Sequence, residues 1–171
     1  MNLQKRKTTR LTGYDYSLPG AYFITICTKN REKLLSEIVV GTGVLDCPKN
    51  ILTEHGEIAN KQLMIMSNFY DNIKIDKFVI MPNHVHLLVQ ILHKDKTDGP
   101  SGTPVPTNSA IAQFVSTFKR FCNKEYGKNI WQSRSNDHII RNEQDYLKIW
   151  EYIDTNVLRW EKDCFYNNER S

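Results

Sequence analysis

His84 and His86 stand one residue apart within the short apolar stretch VIMPNHVHLLVQI, residues 79–91. Side chains alternate between the two faces of a β-strand, so a strand here would put both imidazoles on one face with Leu88 and Gln90, and Val85, Leu87 and Val89 on the other. Imidazole is a common metal ligand and a common acid or base. The pattern predicts a strand with one apolar face and one chemically active face. Two surface histidines without a ligand are the simpler alternative.

A second pair of functional side chains, Tyr152 and Asn156, is predicted on a helix near the end of the chain. The segment NEQDYLKIWEYIDTN has apolar residues at helical spacing. Asn142, followed by Glu143 and Asp145, gives it the polar and acidic start that a helix N-terminus favours. Tyr152 lies off the apolar stripe, and residues four apart project from the same face, one turn apart. A tyrosine that packs or reaches towards solvent is the simpler explanation.

The chain as a whole predicts an α+β fold that carries both pairs. Its segments read as strand, helix, strand, strand, helix, strand and helix, at about residues 21–28, 54–69, 73–81, 84–91, 111–124, 134–140 and 142–156. The Pro-Asn pair between the two middle strands predicts a tight connection between antiparallel neighbours. This order is the split βαβ arrangement, an antiparallel sheet with helices on one face and the other face left free to work.

Length and composition predict one domain over residues 1–171. A chain of this length that is 40% hydrophobic can bury one sizeable core. Its four cysteines show no C-x-x-C spacing, which fits reduced thiols better than a disulfide framework or a zinc site. No apolar run approaches the roughly 20 residues that span a bilayer, so a cytoplasmic protein without a membrane partner is expected. Residues 93–109, rich in Pro, Gly, Ser and Thr, predict a flexible loop.

Four short motifs together resemble a known family: MPNHVHLL at 81–88, IWQ at 130–132, HIIRNE at 138–143 and YIDTN at 152–156. They are similar to the HUH single-strand DNA transposases, specifically the REP-associated tyrosine transposase branch, and the similarity covers nearly the whole chain. The resemblance implies a ferredoxin-like fold with a C-terminal catalytic helix. It also implies that His84, His86 and Asn156 bind a divalent cation and that Tyr152 attacks a DNA phosphate.

The chemistry of these residues agrees with the resemblance. Two imidazoles and one amide oxygen are three protein ligands with further positions left open, which suits a catalytic Mg²⁺ or Mn²⁺ ion. Attack by Tyr152 would form a phosphotyrosine and release a 3′-hydroxyl, so the step could be reversed without ATP. The predicted function is cleavage and rejoining of single-stranded or hairpin DNA. A non-catalytic stem-loop binding protein and a metal-dependent nuclease that uses water are the alternatives.

Basic residues provide candidates for contacts with DNA phosphates. The net charge of +4 permits a polyanionic partner without requiring one. The segment 1–12 is basic, and the other candidates lie on the second helix and around the last strand: Arg10, Lys119, Arg120, Arg134 and Arg141. A solvated charged surface is the alternative for each of them. The sequence leaves open whether the protein acts as a monomer or as a homodimer.

Overall fold

The computed structural model of the protein describes residues 14–40, 47–92 and 109–162. The predicted basic segment 1–12, which includes Arg10, lies outside these ranges. So do residues 93–108 of the predicted loop, whereas Ser109 is described as the residue that caps the following helix.

Six strands and three α-helices are found in the described ranges: β1 (Gly20–Cys27), β2 (Ser36–Val39), β3 (Lys49–Leu52), α1 (Glu54–Phe69), β4 (Ile73–Met81), β5 (His84–Ile91), α2 (Ala110–Tyr126), β6 (Asn136–Ile140) and α3 (Glu143–Thr155). All seven predicted elements are present. Strands β2 and β3 form a separate two-stranded sheet that the sequence does not predict, because each is four residues long and shows no clear alternation. No helix of the described residues has the length and hydropathy needed to cross a membrane.

The main sheet has the strand order β4-β5-β1-β6, and every neighbouring pair is antiparallel. β5 lies between β1 and β4, so the predicted split βαβ arrangement is confirmed. The register places His86 between Thr25 of β1 and Val79 of β4, and His84 between Cys27 and Met81. Both histidines therefore lie on β5, one of the two central strands, and on the same face of the sheet.

The two faces of the sheet carry different helices. The larger core includes Ile24 and Leu87 from the sheet and Leu63 and Phe118 from helices α1 and α2. The sequence predicted the opposite face to be free. On that face, α3 packs against β5 in a smaller cluster: Leu88, Ile149 and Ile153. The histidine face is therefore covered by the C-terminal helix.

The helix ends follow the predicted capping chemistry. The Asn142 side chain accepts a hydrogen bond of 2.8 Å from the Asp145 N–H at the start of α3. Helical spacing predicts a buried stripe on α2 that ends at Phe121, but Phe121 lies at the margin with 39% exposure and Cys122 fills the buried position. The end of the stripe is therefore displaced by one residue.

Gly56 lies in the first turn of α1, where a glycine lowers helix propensity. A Cβ built at this position would overlap the backbone carbonyl oxygen of Leu35 and approach the Leu52 Cβ to 3.2 Å. The segment before β2 therefore packs directly against the helix backbone. Glycine lowers the helix propensity here, but it has no Cβ and therefore allows this close approach.

Replacing Gly56 by alanine is expected to lower the free energy of unfolding by about 1 to 3 kcal/mol, because the added methyl group has to displace backbone. Helix propensity alone predicts the opposite sign, a gain of about 1 kcal/mol. Urea unfolding of the two proteins measures the difference. The control is Ser67→Ala on the exposed face of α1, which should leave stability unchanged or raise it slightly. A stabilised Gly56→Ala protein would contradict the packing described here.

Candidate active site

The centre of the site is the pair of imidazoles on β5. Alternation along the strand puts His84 and His86 on one face, as the sequence predicted, and this is the face that α3 covers. Their Nε2 atoms lie 3.0 Å apart, and the side chains are 0% and 1% exposed, respectively. The two ring nitrogens therefore converge on one point inside the protein and are not surface histidines.

Two neighbouring side chains fix the orientation of these rings. The Asn83 Oδ1 atom accepts from His84 Nδ1 at 2.8 Å, and the Thr25 hydroxyl lies 2.9 Å from His86 Nδ1. Because each Nδ1 atom is engaged by its own partner, each Nε2 atom is directed towards the other ring. The sequence predicted only a tight turn at Asn83, and Thr25 could not be identified without the register between β1 and β5.

Burial and charge keep His86 in the neutral form. Burial first, and then the neighbouring charge of His84, lower the pKa of His86 well below its usual value of 6.5. His86 is therefore neutral at physiological pH. Neutral imidazole is the form that coordinates cations, because a protonated nitrogen has no free lone pair.

The Tyr152 side chain extends from α3 to the imidazole pair. Its hydroxyl lies 3.3 Å from His86 Nε2, and its ring packs edge-on against Phe23 and His86, with centroids 6.0 and 5.2 Å apart. Asn156 is the C-cap residue of α3, one turn beyond the tyrosine, and its side chain is 1% exposed. Tyr152 and Asn156 thus lie on the inner side of the helix, and the structure brings the phenol into contact with the histidines.

Aromatic side chains that the sequence analysis did not select cover the pair. The Trp160 ring, in the 3₁₀ turn after α3, lies 6.0 Å from the His84 ring, and the Phe23 ring lies 4.9 Å from the His86 ring. Trp160 lies beyond the predicted end of the helix, and Phe23 was assigned only to a strand. These rings exclude water from the imidazoles, which explains their burial.

The donor set suits a single divalent cation. Two nitrogen ligands about 2.1 Å from one ion and at right angles to each other lie about 3.0 Å apart, which matches the separation of the two Nε2 atoms. The same separation also fits an N–H···N hydrogen bond in which one ring donates. Across residues 14–40, 47–92 and 109–162, no three His, Cys, Asp or Glu side chains gather as a metal site. A third protein ligand would therefore have to be an amide or a phenol.

The predicted basic residues are not gathered around the histidines. Lys119 and Arg120 belong to α2, which packs on the other face of the sheet. The Lys119 ammonium donates to the backbone carbonyl of Gln132 at 2.8 Å and thereby supports the loop before β6. Arg134 in that loop and Arg141 between β6 and α3 are both exposed.

His138, on β6, shares the sheet face of the imidazole pair, since it lies opposite Phe23. Its Nε2 atom is 2.9 Å from the Asp145 carboxylate of α3, and 55% of its side chain is exposed. His138 therefore joins β6 to the first turn of α3 at the rim of the site.

Comparisons with known proteins agree with this fold. An uncharacterised protein of Haemophilus influenzae is 35% identical to this chain, over 96% of this chain and 94% of its own length. No model of a protein family matches the chain. The solved structure of a REP-associated tyrosine transposase, bound to a REP hairpin, is similar over 88% of this chain and 73% of that chain, with a TM-score of 0.59 and 21% identity. This chain therefore belongs to one protein family with the Haemophilus influenzae protein and has the fold of the REP-associated tyrosine transposase.

Proposed function

We propose that the protein is a metal-dependent DNA strand-transferase of the HUH transposase type, which cleaves and rejoins single-stranded or hairpin DNA. The observation that carries the proposal is the contact between the Tyr152 hydroxyl and His86 Nε2, which itself converges with the Nε2 atom of His84. A phenol beside two convergent imidazoles, on a helix that also buries Asn156, combines a nucleophile with a cation site. The transposase motifs in the sequence fall on these same four residues.

In the proposed reaction, the Tyr152 oxygen attacks a DNA phosphorus atom. A Tyr–O–P bond forms to the phosphate at the 5′ end of the downstream fragment, and the bond from phosphorus to the 3′ oxygen of the upstream fragment breaks. That oxygen leaves as a hydroxyl with the proton that the phenol gives up. Because one phosphate ester replaces another, the free energy of the bond is retained. The released 3′-hydroxyl, or one from another strand, can then attack the phosphotyrosine and restore a continuous strand.

The histidines and Asn156 would hold a Mg²⁺ or Mn²⁺ ion, which would polarise the phosphate and offset its negative charge. Asn83 and Thr25 contact the Nδ1 atoms and thereby keep the imidazole rings oriented for that role. Tyrosine has an ordinary pKa of about 10 and is mostly protonated at neutral pH. The His86 Nε2 atom, 3.3 Å from the hydroxyl, orients the phenol towards the pair.

Hairpin DNA is the proposed substrate, because the transposase that shares this fold is bound to a REP hairpin. The imidazoles are buried in the conformation described here, so the phosphate reaches them only after a covering side chain moves. Tyr152 and Trp160 are the covering rings on the α3 side. DNA entry is therefore expected to displace the end of α3 or the turn that follows it.

The test is incubation of the protein with a library of labelled hairpin oligonucleotides that carry single-stranded flanks, in the presence of Mn²⁺. A covalent protein–DNA adduct on a denaturing gel supports transesterification. Cleavage without any adduct would instead indicate a nuclease that uses water. Binding without cleavage, in Mg²⁺ and in Mn²⁺, would indicate a stem-loop binding protein.

The affinity for the selected hairpin is expected to fall steeply with salt. If exposed side chains such as Arg134 and Arg141 contribute to about 3 to 6 phosphate contacts, counterion release predicts a loss of about 10-fold to 1,000-fold between 50 and 200 mM salt. Fluorescence anisotropy at several salt concentrations gives the slope. Replacing either arginine by alanine should reduce that slope by about one. A flat response would assign these residues to the solvated surface.

A further inference from the structure

Strand β4 has a β-bulge at Asp76. The register between β4 and β5 shifts there, since Ile75 lies opposite Val89 and Lys77 lies opposite Leu88. In a regular strand, Asp76 and Lys77 would point to opposite faces. The extra residue lets both side chains face α3, which is the kind of change that bulges produce near active sites.

Asp76 forms the first connection between the bulge and α3. Its carboxylate is 4% exposed and accepts a hydrogen bond of 2.9 Å from the Tyr146 hydroxyl in the first half of the helix. Gln90 of β5 donates to the same oxygen at 2.6 Å, and the Lys74 ammonium lies 2.9 Å from the other oxygen. Burial and the Asp76 charge both raise the pKa of Tyr146, so its hydroxyl stays protonated and donates. The buried carboxylate is therefore fully engaged, with α3 as one of its partners.

Lys77 forms the second connection. Its ammonium makes an ion pair with Asp154 near the end of α3, and it lies 4.1 Å from the centre of the Trp150 ring. The Lys77 side chain is 19% exposed and that of Asp154 is 55% exposed, so only the lysine end of this pair is shielded from solvent. Helical spacing predicts Trp150 on the apolar stripe of the last helix, but it is 36% exposed and packs under the lysine.

These contacts form one row along the helix. Tyr146, Trp150 and Asp154 are successive fourth residues, so they lie on one flank of α3. Tyr152 lies on the other flank, and the isoleucines that touch the sheet lie between the two. The apolar contact of α3 with the sheet is small and non-directional, whereas hydrogen bonds to a carboxylate depend on angle and distance.

From this arrangement we infer that Asp76 and Lys77 are positioning residues, which set the rotation and axial placement of α3 so that the Tyr152 hydroxyl meets His86. The expected effect on the reaction rate rests on the proposed function, whereas the expected effect on the placement of α3 rests on the contacts above. A helix rotates by 100° and advances 1.5 Å per residue, so a slip of one position carries the phenol away from the imidazole. Two polar contacts on the β4 flank, one near each end of the helix, oppose such a slip.

The experiment compares Tyr146→Phe, which removes one hydroxyl, and Lys77→Met, which removes the ammonium and keeps the stem over Trp150. Lys77→Arg restores a cation. Lys61→Met is the matched control, since it breaks an ion pair with Glu125 between α1 and α2 on the other face of the sheet. In each protein, NMR measures the nuclear Overhauser effect between the Tyr152 and His86 rings without DNA. Single-turnover kinetics with saturating hairpin then give the rate of adduct formation.

We expect the ring-to-ring effect to weaken in Tyr146→Phe and Lys77→Met and to be retained in Lys77→Arg and Lys61→Met. Adduct formation should slow by about 10-fold to 100-fold in the first two, since a displacement of about 1 Å can cost about 100-fold in rate. Hairpin affinity should stay unchanged, which separates positioning from binding. An unchanged ring-to-ring effect in both variants would overturn the inference. If that effect weakens while even the wild-type protein forms no adduct, the positioning role holds and the proposed reaction fails.

Discussion

Replacing Tyr152 by phenylalanine is expected to abolish covalent attachment to DNA, with a loss of about 10⁴-fold or more in the rate of adduct formation. The substitution removes the only atom that can attack phosphorus in the proposed reaction. It keeps the aromatic ring, which packs against Phe23 and His86. The protein should therefore fold normally, and the lost contact with His86 should change the free energy of unfolding by about 1 kcal/mol or less.

The measurement is adduct formation on a denaturing gel, followed by mass spectrometry of the trimmed adduct from the wild-type protein. A nucleotide remnant should be found on the peptide that contains Tyr152. Tyr70→Phe is the matched control, since Tyr70 caps the end of α1 and packs against Phe114 on the other face of the sheet. The control protein should form the adduct at the wild-type rate.

Two outcomes would contradict this assignment in different ways. A remnant on another tyrosine would place the nucleophile elsewhere, and Tyr146, on the same helix, is the nearest competitor in the sequence. Cleavage that persists in Tyr152→Phe without an adduct would show that water is the nucleophile. In that case the histidines could still act, but α3 would serve as a cover and not as the source of the attacking group.

The sequence was sufficient to predict the faces of the strands. Alternation along HVHLLVQI put the imidazoles opposite Val85, Leu87 and Val89, and the structure has the three apolar residues in the larger core. The order of the elements was also enough for the split βαβ arrangement, because a Pro-Asn turn and two amphipathic helices leave few ways to pair four strands. Tyr152 was separated from the apolar stripe by helical spacing alone.

Contacts between distant segments could not be predicted in this way. Thr25 reaches His86 only because β1 and β5 pair in one particular register, and a shift of one residue would point the threonine to the other face. The alternation of apolar and polar residues in β4 breaks at Asp76 and Lys77, where the bulge lies, but two successive polar residues do not by themselves specify a bulge. The placement of α3 over the histidine face could not be predicted either, since the sequence of an amphipathic helix does not specify which side of a sheet it covers.

Replacing His84 or His86 by alanine is expected to abolish metal-dependent cleavage and to leave hairpin binding intact. In the wild-type protein, the Nε2 atoms converge at 3.0 Å, and each remaining ring nitrogen is engaged by Asn83 or Thr25. Loss of one ring leaves a single imidazole, which cannot form the two-nitrogen site. We expect the rate of adduct formation to fall by at least about 1,000-fold, comparable to the loss of a residue from a catalytic unit.

Stability needs its own control because both imidazoles are buried. Truncation to alanine leaves a cavity and should cost about 1 to 3 kcal/mol in the free energy of unfolding. His86→Leu fills most of that space without a ligand atom, so it should be folded and inactive. His55→Ala removes a histidine on α1, which packs against Tyr126 away from the site, and should retain activity.

Calorimetry with Mn²⁺ provides a readout that does not depend on cleavage. The wild-type protein and His55→Ala should bind the ion, and both His86 variants should show no measurable binding. Thr25→Val, which keeps the side-chain shape and loses the hydroxyl beside His86 Nδ1, should bind about 10-fold to 100-fold more weakly. This graded order follows from the geometry, because the histidine would supply the ligand atom and the threonine only aligns its ring. Equal Mn²⁺ affinity in the wild-type protein and His86→Leu would show that the paired imidazoles are a hydrogen-bonded structural element, and the metal-dependent reaction would then have to be abandoned.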